Sequence, residues 1–268
     1  TYQDLLKNKT DEQNFETLIT SELHKMDLNG KKTLYKSKDL YGSQSFSPDG
    51  KFLMLTTLKK PFSYLVPLNR FPQKSTVYDL NGKEIKVVNE VPLTEIMPKG
   101  FGAVRTGKRN MGWRDDQPST LYYVEALDGG DPATKVPFRD AIFTWEAPFS
   151  KVPVPLAKTQ QRFSDITWGN EKTALVYDNW YDTRNVKTYL IDPSQTVEQG
   201  KIIFDRNYQD IYTDPGSFET RKNAYNRDVL AIENENLFLI GEGYTEKGQF
   251  PFIDAFDLKT LKPNRLYQ

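Results

Sequence analysis

One pentapeptide occurs twice in this chain, and it limits the fold more than any other feature. Asp27-Leu28-Asn29-Gly30-Lys31 returns unchanged as Asp79-Leu80-Asn81-Gly82-Lys83, 52 residues later. Leu23, Met26 and Leu28 lead into the first copy in a strand-like alternation, and Val77, Tyr78 and Leu80 lead into the second. Asn-Gly between two strand runs reads as a hairpin turn of type I′, in which both central residues need positive φ. Looser copies lie in Leu121–Gly130, Lys187–Pro193 and Phe252–Leu258. With corners at positions 27, 79, 126, 192 and 257, the steps are 52, 47, 66 and 65 residues.

A second element recurs between these corners. Phe46-Ser47-Pro48-Asp49-Gly50-Lys51 precedes the apolar run Phe52–Leu55, Gly112–Pro118 precedes Leu121–Val124, and Ile166–Glu171 precedes Ala174–Tyr177. Each time an aromatic ends one strand, a polar turn follows and a new strand begins. This is the pattern of a β-propeller, with four short antiparallel strands in roughly 40–50 residues. The alternative is a β-sandwich with similar hairpins, which has no reason to repeat one corner at blade spacing. The fold class expected is all-β: a partial propeller over residues 1–268, of about five to six four-stranded blades. A seven-bladed ring needs roughly 300–350 residues, so the chain reads as part of such a ring. The long steps place insert loops at Asp131–Arg139 and Asn207–Asn226. A turn of helix is expected only over Thr10–Phe15 and Pro92–Met97.

Charge and composition remove whole classes of function. The 268 residues carry 36 Lys and Arg against 36 Asp and Glu, a formal net charge of zero. Nucleic acid or an anionic membrane as main partner calls for a basic excess; neither is expected. There is no cysteine, so there is no disulfide frame, thiol nucleophile or Cys-based zinc site. The single histidine, His24, sits in a strand run just before a tight turn and reads as a surface or half-buried structural residue rather than a general base. No run approaches the ~18 apolar residues of a spanning helix. The opening Thr1-Tyr2-Gln3-Asp4 has neither a basic nor an apolar leader region.

Catalytic signatures are missing from the chain. No serine sits in Gly-x-Ser-x-Gly, since Gly42-Ser43 and Gly216-Ser217 lack the second glycine. There is no Walker A loop, G-x-G-x-x-G or HExxH. Asp178-Asn179-Trp180-Tyr181-Asp182 and Asp128-Gly129-Gly130-Asp131 offer oxygen ligands but not the twelve-residue calcium loop with its closing Glu. No catalytic residue, metal or cofactor is expected. The most heavily charged stretch is Val104–Asp116, with four cations and two acids around Trp113. It reads either as a rim that recognises anions, since Arg grips carboxylates bidentately, or as a structural knot in which the arginines pair with Asp115, Asp116 or Asp140.

Several longer strings resemble a known family. Pro61–Pro72 followed by Val77–Gly82 is similar to the propeller of prolyl-oligopeptidase-family serine peptidases, more narrowly to the glutamyl endopeptidase and dipeptidyl-peptidase-like branch. Trp113–Pro118 with Val124–Asp131, Arg139-Asp140, Asp214–Ser217, Pro251–Asp257 and the opening Asp4–Lys7 with Asp11-Glu12 fit the same branch. The resemblance implies a longer parent, in which a C-terminal α/β-hydrolase domain, absent from this chain, supplies the nucleophilic Ser, the Asp and the His. It implies for this chain a non-catalytic role: covering that active site, admitting peptides and lending side chains to substrate. Its partners would be the peptide substrate and the hydrolase domain. A parent that cleaves after Glu needs a cation for the acidic side chain, and Arg105, Arg109, Arg114, Arg139 and Arg184 are the candidates. Bacterial relatives are often exported and plant ones go to plastids. A stand-alone propeller that binds a protein or glycan, and a propeller glycosidase with paired carboxylates, remain as other readings of the residues alone.

Overall fold

The computed structural model describes residues 5–268; residues 1–4, including Asp4 of the family-like opening, lie outside the described residues. The chain divides into two compact units. The first runs to Met97 and takes in Glu146–Val152; the second comprises Pro98–Trp145 and Pro153–Gln268.

The first unit begins with α1 (Lys9–Ile19), longer than the single turn expected. Asn8 caps it by accepting the Asp11 amide at 2.9 Å, and Asp11 and Glu12 sit in its first turn where the helix dipole favours acids. Phe15 holds the helix down, edge-on to Phe62 at 5.2 Å and to Phe71 at 6.0 Å. Leu40, Leu58 and Val66 complete that cluster. Pro92–Met97 makes no helix. Its polar groups are drawn elsewhere: the Thr94 amide donates to the Arg70 carbonyl at 3.0 Å, and Glu95 accepts from the Ser63 hydroxyl at 2.6 Å.

Strands β1 (Ser21–Met26) and β2 (Lys32–Asp39) form a two-stranded sheet. Strands β3 (Tyr41–Phe46), β4 (Phe52–Leu58), β5 (Gln73–Asp79) and β6 (Glu84–Val91) form a four-stranded antiparallel sheet in sequential order. The repeated pentapeptide joins β1 to β2 and β5 to β6, so β1–β2 matches the outer half of a blade. Both copies fold identically. Asp27 Oδ1 accepts the amides of Asn29 and Lys31, both at 2.9 Å, and Asp79 Oδ1 those of Asn81 and Lys83, at 2.8 and 3.0 Å. Within the two corners only Gly30 and Gly82 take positive φ, both at 84°. The turn is therefore type I closed by a left-handed glycine, the three-residue hairpin, and not the type I′ turn expected.

The second unit holds three more four-stranded antiparallel sheets. One is β7 (Arg109–Trp113), β8 (Thr120–Ala126), β9 (Asp140–Glu146) and β10 (Val154–Thr159). The next is β11 (Arg162–Asn170), β12 (Thr173–Trp180), β13 (Asn185–Ile191) and β14 (Lys201–Asn207). The last starts at β15 (Ser217–Phe218) and is interrupted by a hairpin of β16 (Thr220–Lys222) and β17 (Asp228–Leu230) before β18 (Asn236–Gly241). A second hairpin, β19 (Tyr244–Thr245) and β20 (Gly248–Gln249), precedes β21 (Phe252–Asp257) and β22 (Lys262–Tyr267). The expected insertions are partly in place. Asp131–Arg139 is irregular chain between β8 and β9, whereas the region around Asn207–Asn226 contains β15 and β16.

Apolar residues on both faces of the central strands bury these sheets against each other. Val124, Ile142, Leu156, Trp168, Val176 and Tyr189 form one cluster, and Leu175, Leu230, Leu237, Leu239 and Phe256 another. Each fully buried large side chain contributes about 1.5–3 kcal/mol. The fold class is all-β, with four four-stranded blades and one half-blade among the described residues, a partial β-propeller. One corner assignment changes. Positions 79, 192 and 257 close third-to-fourth strand turns and position 27 the turn of the two-stranded sheet, but position 126 ends β8 and opens the turn between second and third strands. The true counterpart in that sheet is the turn after Glu146.

Candidate functional site

In a sequential four-stranded sheet, the chain's entry, the turn between second and third strands and the exit share one end. In the second unit that end gathers the starts of β7 and β11, the loop after β8 and the turn after β12. It carries a buried ionic network. Asp128, just past β8, and Asp140, at the start of β9, have fully buried side chains. Arg162, the first residue of β11, donates to Asp128 at 2.7 and 3.1 Å and to Asp140 at 2.9 Å. Arg139 donates to Asp128 at 2.8 Å, and Arg109, the first residue of β7, pairs with Asp140. Backbone amides complete the set, Gly130 to Asp128 at 2.9 Å and Phe163 to Asp140 at 2.7 Å. Burial works against the charge on Asp128, but the hydrogen bonds from Arg162 and Arg139 outweigh it and hold its carboxyl below the usual range. Three guanidinium groups thus face two carboxylates, and all five are tied into the frame.

An aromatic layer lies beside this network. The Arg139 guanidinium stacks over Trp180 at 4.0 Å, and Arg162 also reaches the Gly102 carbonyl at 2.9 Å. A Cβ on Gly102 would stand 3.0 Å from the Trp180 ring, so the glycine lets the loop close on the indole. Next to it Phe101, 78 % exposed, lies tilted against the Tyr181 ring at 4.1 Å. Arg184 covers Tyr181 at 3.7 Å and donates to the Tyr208 hydroxyl at 3.4 Å. Arg184 holds a left-handed backbone (φ 56°) that a non-glycine adopts at a cost of order 1 kcal/mol or more.

The five arginines singled out in the sequence are not brought to one place. Arg114 lies at the opposite end, in the turn between β7 and β8, stacked over Trp168 at 4.3 Å and bidentate to Asp116 at 3.0 and 2.7 Å. Arg109 and Arg139 are committed to Asp140 and Asp128. Arg105 is half-buried and donates to the Thr106 carbonyl at 3.1 Å and to that of Lys108. It meets no carboxylate among the described residues. Burial, followed by the neighbouring Arg109, pulls its pKa down. Arg184 is half-buried and likewise free of carboxylates among the described residues. Arg162 escapes the sequence reading; the signal is its place as first residue of a first strand, the place that Arg109 holds one sheet earlier.

The remaining residues considered from sequence have structural surroundings. His24 is exposed on β1 with Nε2 3.1 Å from Glu22. In the two acid-rich stretches, Asp128 belongs to the ionic network. Asp178 is buried and accepts from the Tyr189 hydroxyl at 2.6 Å and the Gln161 amide at 2.8 Å. Burial pushes its carboxyl up to about 6 against these hydrogen bonds.

No family model matches the chain. Over its full length it is 38% identical to "Probable glutamyl endopeptidase, chloroplastic" of Oryza sativa subsp. japonica and 36% identical to the protein of the same name from Arabidopsis thaliana. It spans 29% of the length of each. Among solved structures, an acylaminoacyl peptidase of Pyrococcus horikoshii aligns over 92% of this chain and 35% of its own, with 14% identity and a TM-score of 0.41. Hydrazine synthase of Kuenenia stuttgartiensis aligns over 92% and 60%, with 13% identity and a TM-score of 0.39. The blade-built sheets and the sequence match across the whole chain together define the class: a propeller segment similar to part of a peptidase. Over its whole length the chain is thus similar to one segment of these glutamyl endopeptidases.

Proposed function

We propose that this chain controls which peptides reach the active site of its parent enzyme, a serine peptidase whose nucleophile lies in a separate hydrolase domain. The observation that carries the proposal is the 38% identity across the entire chain to a segment of a glutamyl endopeptidase. The charge distribution supports a further part. Arg109, Arg114, Arg139 and Arg162 are neutralised by buried carboxylates, which leaves Arg184 and Arg105 as the candidates with charge to offer an acidic substrate. Arg184 suits this better. Its face is fixed on Tyr181 while its edge meets solvent, so little side-chain freedom remains to be lost on binding.

The test uses the full-length parent with peptides that differ only as Glu or Gln at the cleaved position. Arg184→Ala should lower kcat/KM for the Glu peptide about 2- to 5-fold, the scale of an exposed ion pair, and leave the Gln peptide unchanged. Equal losses on both peptides would remove Arg184 from substrate recognition. Gating is read separately: the parent should cleave a short peptide far faster than the same sequence held in a folded protein. Equal rates, or peptide hydrolysis by this chain alone, would overturn the division of labour.

A further inference from the structure

Between the β11–β14 sheet and the segment leading into β15 lies a groove of about 460 Å³. Ser164, Asp165, Thr167, Tyr177, Phe204 and Phe218 line it. Its floor is aromatic and firmly seated: Phe204 packs on Phe218 at 6.0 Å and on buried Phe256 at 5.6 Å. Its rim carries an uncompensated carboxylate. Asp165 is exposed, and Oδ1 accepts the amide of Ile166 at 2.8 Å. Asp165 forms no ion pair among the described residues. The one cation on the wall, Arg206, is already engaged, with Asp214 at 2.5 Å and with the carbonyls of Asn207 and Asp210 at 3.1 and 2.9 Å. Two carboxylates therefore face one guanidinium, and the groove is negative overall. The Tyr177 hydroxyl adds no charge: burial, with Asp165 contributing, raises its pKa to about 12.

A carboxylate above an aromatic floor is complementary to a positive head on an apolar stem, because the ring faces and the carboxylate both attract the cation while the methylenes cover the rings. We propose that this groove binds a primary alkylammonium, the side chain of a peptide lysine, with its nitrogen on Asp165 and its methylenes across Phe204 and Phe218. The groove is of the size that small ligands occupy, and this binding is independent of the peptidase reading.

Calorimetric titration of the chain separates the sources of the ammonium. N-acetyl-lysine methylamide carries only the ε-ammonium, leucine methylamide only the α-ammonium, and N-acetyl-norleucine methylamide neither. The lysine probe should bind with millimolar affinity that weakens as salt rises, and the norleucine probe should give no heat. Asp165→Asn, an exposed and nearly isosteric change, should weaken the lysine probe at least 5-fold; Asp192→Asn, outside the groove, should not. Equal binding of the norleucine probe, binding of the leucine probe alone, no binding of the lysine probe, or an Asp165→Asn titration like the parent's would each overturn the assignment.

Discussion

Replacing Asp178 by asparagine should change how stability depends on pH. The side chain lies in the middle of a sheet, 0 % exposed. Oδ2 takes two hydrogen bonds, and buried Oδ1 takes none among the described residues. Its pKa is raised from 3.8 to about 6 in the folded chain, first through burial. Below about pH 3, the carboxyl is largely protonated in both folded and unfolded states and burial costs little. As pH rises to 6, the unfolded chain releases the proton and the folded chain keeps it, so stability falls. Above 6 both states are ionised and the loss is constant. A shift of about two units corresponds to about 3 kcal/mol. The side-chain amide of the Asp178→Asn variant has no proton to lose in this range. Urea unfolding at pH 4, 5, 6 and 7 should therefore show the asparagine variant gaining on the parent by about 2–2.5 kcal/mol across the series. Other titrating groups cancel, because they are common to both chains. Tyr189→Phe, which removes one of the bonds favouring the carboxylate, should move the wild-type midpoint to higher pH. A variant-minus-parent difference that stays constant from pH 4 to 7, within about 0.5 kcal/mol, would refute the reasoning, since it would mean that Asp178 titrates alike folded and unfolded.

Three further outcomes follow from the packing. Gly130→Ala puts a Cβ 1.9 Å from the Val104 carbonyl oxygen at a φ of 79°, and should cost about 3 kcal/mol or more in a denaturation experiment. Gly50→Ala, at φ 68° with open space around it, should cost only about 1 kcal/mol; similar losses at the two sites would show that backbone angle alone decides. Arg162→Met takes one of two guanidinium partners from each of two buried carboxylates and should cost about 3–5 kcal/mol. Adding Asp128→Asn and Asp140→Asn should recover part of that loss, and strict additivity in the cycle would contradict the shared network. Leu175→Ala, in the cluster with Leu237 and Phe256, should cost about 2–5 kcal/mol, measured by the shift in denaturation midpoint.

What can be read from the chain tracks how local the determining contacts are. The corner at Asp27–Lys31 is visible because its hydrogen bonds close within five residues, and Asp79–Lys83 repeats them. Its turn type is not, since the Asp side chain, and not Asn-Gly chemistry alone, selects the conformation. The corner at Ala126 resembles the others in residues but joins different strands. Strand order depends on pairing across long separations, of which a turn sequence carries no record. The pairing of Arg114 with Asp116 spans two residues and matches the structural alternative for that charged stretch. Arg162 reaches Asp128, 34 residues away, and no motif marks that contact. Arg184 stands out as a cation, but its bed on Tyr181 and its approach to Tyr208 depend on how one turn meets the following strand's exit.

The order of strands within each sheet bears on how the molecule is made. In β3–β6, β7–β10 and β11–β14 every strand pairs with its immediate sequence neighbour. On a ribosome each of these sheets is complete once its fourth strand has emerged, and no partner has to be awaited from later synthesis. The last sheet breaks this rule. Hairpins β16–β17 and β19–β20 stand between its members, so β15 and β18 must be held apart until the first hairpin has closed, and β21 until the second. Vectorial folding would make this sheet the slow step of the nascent chain, and the interval during which Phe218, Leu237 and Phe256 await their neighbours is when a chaperone has most to bind.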